Sequence, residues 1–251
     1  MRPSFAHAGA LSIPLLLLTA SGLGSCNRHG DAGDSETTAV PAPPGKTGTA
    51  RISGSIVFHG AVPAPGLRRT TADCARLAGP PPPQLVLSSA GGVKDAFVYV
   101  QSGLPPGVYP VPSEPVTLDQ KGCEYAPRVL GVRADQPIVL ANSDPILHNV
   151  HAPGFNVPLP NAGVRVTRKI SKPQVMAVVT CDVHPWMRAF AGVMAHPFFA
   201  VTGADGSFAL QGLPAGSYTV GVWHERLGQK SQAVTVADGE SKTVTLDMNV
   251  N

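Results

Sequence analysis

Cys181-Asp182-Val183-His184-Pro185-Trp186-Met187 places a thiol, an imidazole and a thioether at C-x2-H-x2-M spacing. A second source of imidazole, Leu147-His148-Asn149-Val150-His151, lies upstream, with His148 33 residues before Cys181. One Cys, two His and a Met make a carboxylate-free set of soft and borderline donors. Such a set suits copper and argues against magnesium, calcium or manganese. Three strong in-plane ligands with a weak axial sulfur are the pattern of mononuclear electron-transfer copper.

The flanking sequence supplies strand ends for these donors. In Val175 to Cys181, alternate positions put Val175, Ala177, Val179 and Cys181 on one face. Met176, Val178 and Thr180 fill the other, also largely apolar face, so the strand is predicted to be buried on both sides. A second strand is predicted over 189–195, after a turn stiffened by Pro185. Upstream, 137–141 reads as a strand, and Asn142-Ser143-Asp144-Pro145 as the turn that delivers His148. Two strand-end loops meeting at one metal imply a β-sandwich.

At these residues the chain resembles the cupredoxins, the small blue copper proteins, over roughly 122–197. Carried across residue by residue, the resemblance implies that His148, Cys181 and His184 are in-plane ligands of one Cu(I)/Cu(II) ion, with Met187 axial. It implies that Asn149 ties the two ligand loops together and supports the Cys181 sulfur. It also implies that one edge of the His184 imidazole opens on an apolar electron-port patch, here Pro145, Ile146, Pro185 and Trp186.

Other chemistries fit these residues less well. A buried structural thiol, a core methionine or a hydrogen-bonded histidine explains each residue singly, but not their joint spacing. Structural zinc prefers several Cys or His and seldom uses Met. A Cys181–His184 nucleophile lacks an oriented third group nearby. No C-x-x-C-H announces attached haem. H-x-H pairs are absent, which argues against a multicopper oxidase. His151, three residues from His148, falls on the opposite face of a strand and reads as structural.

Taken from its start, the chain of 251 residues has the length to bury a core. With 27 Gly and 26 Pro and few amphipathic periods, it is expected to be all-β. A net charge of +3, without basic clusters, gives no footing for nucleic acid. Residues 1–25 read as a signal peptide: Arg2 precedes an apolar run too short to span a membrane. Leu23-Gly24-Ser25-Cys26 resembles the lipobox of bacterial lipoproteins, which implies a lipid on Cys26. Asn27 resembles the residue of those sent to the outer membrane, so a periplasmic or cell-surface location is expected. Residues 26–50 are too poor in apolar residues to fold and read as a flexible tether.

Strands are then predicted at 52–59, 85–87, 93–101, 116–118, 128–132 and 138–140, with 67–83 irregular. With Cys26 and Cys181 assigned, Cys74 and Cys123 are left to pair as a disulfide or stay as buried thiols. From 198 a new pattern begins. Asp205-Gly206 between apolar runs signals a hairpin, and short strands follow to Met248. This part resembles the carboxypeptidase regulatory-like (transthyretin-like) β-sandwich, through Asp205 to Phe208 and Leu213 to Tyr218. The opening strands of that family occur instead near 53–60 and 96–100. The expected fold is therefore a Greek-key cupredoxin sandwich (115–197) inserted into, or sharing a sheet with, a smaller transthyretin-like sandwich (198–251). Residues 51–114 read as an N-terminal β segment that is expected to be part of the C-terminal sandwich. His196, His224 and Glu225 are further candidates for chemistry, with an interface role favoured. The functional expectation is a single-electron carrier rather than an enzyme, with unidentified redox proteins as donor and acceptor. The alternative is a copper-binding or sensing lipoprotein, or an envelope interaction protein.

Overall fold

A computed structural model describes residues 42–62, 71–77 and 83–249. The expected leader, Cys26 and the first part of the tether lie outside these residues, as do 63–70 and 78–82.

In chain order the elements are β1 (Ala50–Phe58), α1 (Ala72–Leu77), β2 (Phe97–Ser102), β3 (Val116–Gln120), β4 (Tyr125–Ala126), β5 (Val129–Arg133), β6 (Ile138–Asn142), β7 (His148–Ala152) and β8 (Phe155–Leu159). There follow β9 (Arg165–Arg168), β10 (Gln174–Thr180), β11 (Arg188–Met194), β12 (Phe199–Val201), β13 (Ser207–Leu213), β14 (Gly216–His224), β15 (Gly228–Val236) and β16 (Ser241–Met248). They form four sheets, ordered β13-β1-β16, β12-β2-β14-β15, β5-β11-β10-β7-β8 and β4-β3-β6-β9.

Three apolar clusters alternate with these sheets. Ile52, Ile56, Val98, Val100, Val220, Leu210 and Leu246 fill the space between the first two. Leu118, Leu140, Leu130, Val132, Val150, Ala177, Val179 and Ala191 fill that between the last two. A third cluster, Phe97, Tyr99, Val129, Met176, Phe190 and Met194, joins the second sheet to the third. The period of two makes this stack possible: Val98 and Val100 of β2 face one core, while Phe97 and Tyr99 face the other. In β11, six of seven residues are buried for the same reason.

Close approach of the middle sheets depends on glycine. A Cβ at Gly192 would lie 2.3 Å from Phe97 Cζ, and one at Gly131 would lie 2.7 Å from Phe199 Cε2. The two glycines leave a flat floor for rings. Where the sheets meet, the Arg128 guanidinium bonds both carboxylate oxygens of Glu225, with Nη2 to Oε2 at 2.7 Å.

β1 lies between β13 and β16, and β2 between β12 and β14. The first two strands thus complete the sandwich of the last five, and β3 to β11 form the intervening pair of sheets. A disulfide joins Cys74 to Cys123.

Several expectations are corrected. The tether does not run to residue 50: Gly45 N–H donates to Val108 O, Val108 N–H to Pro43 O and Gly48 N–H to Gly212 O, and Thr49 Oγ1 donates to Asp238. Residues 85–87 form no strand, only a Leu87–Val93 bridge. The irregular stretch carries helix α1. β10 is not buried on both faces: the register shifts between Gln174 and Ala177, and Val178 is 48% exposed. Met176, at φ +59, occupies that shift. Asp205-Gly206 turns the chain between two sheets rather than within one hairpin, because Gly206 packs against Ile56 O and Gly92 instead of pairing β12 with β13. β4, β7, β8 and β9 carried no clear period. β8 holds Pro158 at a sheet edge, where a missing donor is tolerated.

Candidate metal centre

β10 ends at Thr180, and Cys181 follows it directly. The six residues after Cys181 turn back into β11 through Met187 N–H to His184 O at 2.9 Å and a longer Cys181 N–H to Met187 O bond at 3.4 Å. His148 opens β7 in the same sheet. Cys181, His148, His184 and Met187 are all buried, Met187 and His148 with no exposed surface.

The ligating atoms of His148, Cys181 and His184 lie within 4.8 Å of one another. His148 Nδ1 is 2.9 Å from His184 Nδ1, and Cys181 Sγ is 3.8 Å from the same His184 atom. Bonds of about 2.0 Å to nitrogen and 2.3 Å to sulfur put the donors of one ion roughly 3–4 Å apart. The spacing therefore fits a single metal ion. The donor set fits too, since thiolate and imidazole without carboxylate select soft or borderline ions.

The tautomers are arranged for this. Asp144 Oδ2 lies 2.9 Å from His148 Nε2. A carboxylate only accepts, so Nε2 carries the hydrogen and Nδ1 presents its lone pair. Burial, reinforced by the neighbouring His148, holds the His184 pKa below its ordinary value. His148 Nδ1 thus faces His184 Nδ1 at 2.9 Å as an acceptor, a position served either by a hydrogen on His184 Nδ1 or by a metal ion shared between the two rings.

Asn149 joins the loops. Its Oδ1 accepts from Asp182 N–H at 2.7 Å and lies 3.3 Å from Cys181 Sγ, while Nδ2 donates to Asn156 and Asp182. His151 points away, half exposed, onto Asp182 Oδ1 at 3.0 Å. That contact is the main reason the exposed Asp182 carboxyl stays below its usual range.

A scaffold that the sequence did not announce braces these residues. The segment from Gln120 to Tyr125 touches every ligand-bearing loop. Gly122 and Cys123 N–H donate to the two oxygens of Asp144 at 2.7 and 2.8 Å. The Gln120 amide and Tyr125 hydroxyl both reach Asn149 O, and the hydroxyl lies 2.9 Å from Thr180 O. Desolvation pushes the Tyr125 pKa far up, so the hydroxyl remains a donor. Trp186 Nε1 donates to Cys123 O at 3.2 Å. These are isolated polar residues with no period to mark them.

The expected port is corrected in part. His184 is 5% exposed, and Trp186 turns inward with its ring 5.1 Å from the imidazole. Ile146 is half buried, and Pro145 and Pro185 are exposed. The large exposed apolar side chains of these loops are Leu147 and Val183, each 45% exposed. His196, His224 and Glu225 do not meet in a metal-ligating cluster among the described residues. His196 Nε2 donates to Val100 O, and Glu225 pairs with Arg128. His224 is buried, and burial drives its pKa down to about 4.

Residues 189–249 match the carboxypeptidase regulatory-like domain family. No curated protein gave a significant match to the chain. Among solved structures, the chain is similar to amicyanin from Paracoccus versutus (Thiobacillus versutus), at 18% identity over 39% of this chain and 97% of that one, TM-score 0.29. It is similar to a purple cupredoxin from Nitrosopumilus maritimus, at 21% identity over 32% and 99%, TM-score 0.28. A copper-containing nitrite reductase from Thermus scotoductus SA-01 aligns at 20% identity over 57% of this chain and 28% of that one, TM-score 0.29.

Proposed function

We propose that this protein is a mononuclear copper protein that carries single electrons in the cell envelope. The observation that carries the proposal is the convergence of His148 Nδ1, His184 Nδ1 and Cys181 Sγ in one buried cluster. Those three residues would hold the ion, with Met187, buried in the same loop, as a further sulfur donor. Copper bound there supplies a one-electron couple between Cu(I) and Cu(II). The chain supplies rigidity: Asp144 fixes the His148 ring, Asn149 joins the loops, and the Gln120–Tyr125 segment braces both. Donors held in place by such partners move little when the charge of the ion changes, which keeps electron transfer fast.

The protein acts as a carrier, exchanging electrons with a redox donor and acceptor at the face bearing Leu147, Val183 and Pro185. A lipid on Cys26 anchors it to a bacterial membrane, the outer membrane by the residue that follows. Cu(II) added to the full chain should give an intense thiolate-to-copper band in the visible. Cys181→Ser should abolish that band, and His151→Ala should leave it largely intact. Stoichiometric copper without the band would refute electron carriage and leave metal binding alone. Survival of the band in Cys181→Ser would refute the ligand assignment.

A further inference from the structure

The Cys74–Cys123 bond lies against the candidate centre. Both sulfurs and a ring nitrogen of His184 fall within 4.8 Å of one another, and all three residues are buried. A ligating nitrogen of His148 and an oxygen of Asp144 fall within the same distance of the Cys123 sulfur. A structural staple alone requires no imidazole at its sulfurs. The two halves of the disulfide are also held very differently. Cys123 is fixed through its N–H on Asp144 and its carbonyl on Trp186. Cys74 belongs to α1, whose other five residues are exposed.

We propose that reduction of this disulfide creates a second metal site, made of the Cys74 and Cys123 thiolates with His184, for a soft ion such as Cu(I). A disulfide sulfur is a poor donor, whereas two thiolates and an imidazole select thiophilic ions. The reductant is a dithiol. It passes two electrons and two protons to the sulfur–sulfur bond, which opens to two thiols while the dithiol closes its own disulfide. Binding of the ion then displaces the two thiol protons. The sulfurs must part to admit an ion, and α1, in which Cys74 is the single buried residue, can supply that shift. His184 belongs to both clusters, so filling one site bears on the other. This inference does not depend on electron carriage at the first site.

The test uses the full chain with Cys181→Ser, or Cys181→Ala where serine disturbs the buried position, so that the outcome is independent of the first centre. The protein is reduced without oxygen, freed of reductant and titrated with Cd(II). The near-ultraviolet thiolate-to-cadmium band reports binding, and far-ultraviolet circular dichroism reports the fold. One tightly held Cd(II) per chain is expected after reduction and not before. Adding His184→Ala should weaken it by at least the roughly tenfold that loss of even a supporting partner costs metal sites. Equal binding before and after reduction would overturn the proposal. Binding indifferent to His184→Ala would overturn it as well, because thiols freed by unfolding or acting alone behave that way.

Discussion

Replacing Asp144 with Asn should disable the candidate centre without touching a ligand. Asp144 is 4% exposed and accepts three hydrogen bonds, from Gly122 N–H at 2.7 Å, Cys123 N–H at 2.8 Å and His148 Nε2 at 2.9 Å. Asparagine keeps the shape but turns one oxygen into a donor. Placed at Oδ2, that amide faces two N–H groups; placed at Oδ1, it faces one. In the first placement His148 can relieve its conflict only by moving its proton to Nδ1, which then no longer offers a lone pair to a metal; in the second it keeps Nε2–H on a weaker, neutral acceptor. A hydrogen bond to a charged partner contributes about 1.5–3 kcal/mol. Losing one or two of them should lower the stability of the metal-free protein by about 2–5 kcal/mol. Loss of a carboxylate behind a ligating histidine lowers metal affinity by about 10–100-fold. Chemical denaturation of the metal-free protein and competitive copper titration measure the two effects in parallel. A variant within about 0.5 kcal/mol of the parent, the range of an ordinary surface change, and with unaltered copper affinity would refute the role given to Asp144.

Three further outcomes bear on the scaffold. Gly192→Ala drives a methyl into the Phe97 ring and should cost about 1–3 kcal/mol, seen as a melting temperature lower by several degrees, with partial recovery in the Gly192→Ala/Phe97→Leu double variant. Deleting residues 198–251 removes the strands paired with β1 and β2 and should give aggregation or non-cooperative unfolding; a soluble remainder with its own sharp transition would show two independent units. Burial depresses the His224 pKa from 6.5 to about 4, so the unfolded chain binds the extra proton first on acidification. Stability should therefore be full above about pH 6.5 and fall by roughly 3 kcal/mol towards pH 4, a loss that His224→Asn should largely remove in denaturation curves run across that range.

The parts legible in the sequence are those where residue type alone narrows the choice. Soft donors are scarce, so Cys181, His184, Met187 and His148 stand out at their spacing. The strand periods around Ile52 and Val98 were also visible, because alternation survives in strands packed on a core. What stayed hidden depends on partners far away in sequence. Gln120 and Tyr125 have no local signal, and neither does the hold of Asp144 on Cys123; these roles exist only when residues 21 to 55 positions apart are brought together. Helix α1 is six residues near a proline-rich run, with one buried position, too little for any amphipathic period. Val178 looked like core because its neighbours are apolar, and the register shift at Met176 is a tertiary adjustment that no alternation rule contains.

The regulatory-like sandwich is part of the scaffold of the candidate centre rather than an appendage. Cys181 and Met187 sit where β10 ends and β11 begins, so the position of both depends on how those two strands are held. One face of β11, through Ala189, Ala191 and Val193, packs into the core beneath the centre. Its other face, through Phe190 and Met194, packs on Phe97, Tyr99 and Trp223 of the neighbouring sandwich. A shift of that sandwich would have to move β11 or open a core of aromatic rings, and Arg128 paired with Glu225 resists sliding between them. Protein interiors packed this closely transmit displacement rather than absorb it. Substitutions such as Gly192→Ala, which contact no ligand, should thus be felt at Cys181 as a change in the thiolate band as well as in stability. An unchanged band in a destabilised variant would mean that the ligand loop is held by the Gln120–Tyr125 segment alone.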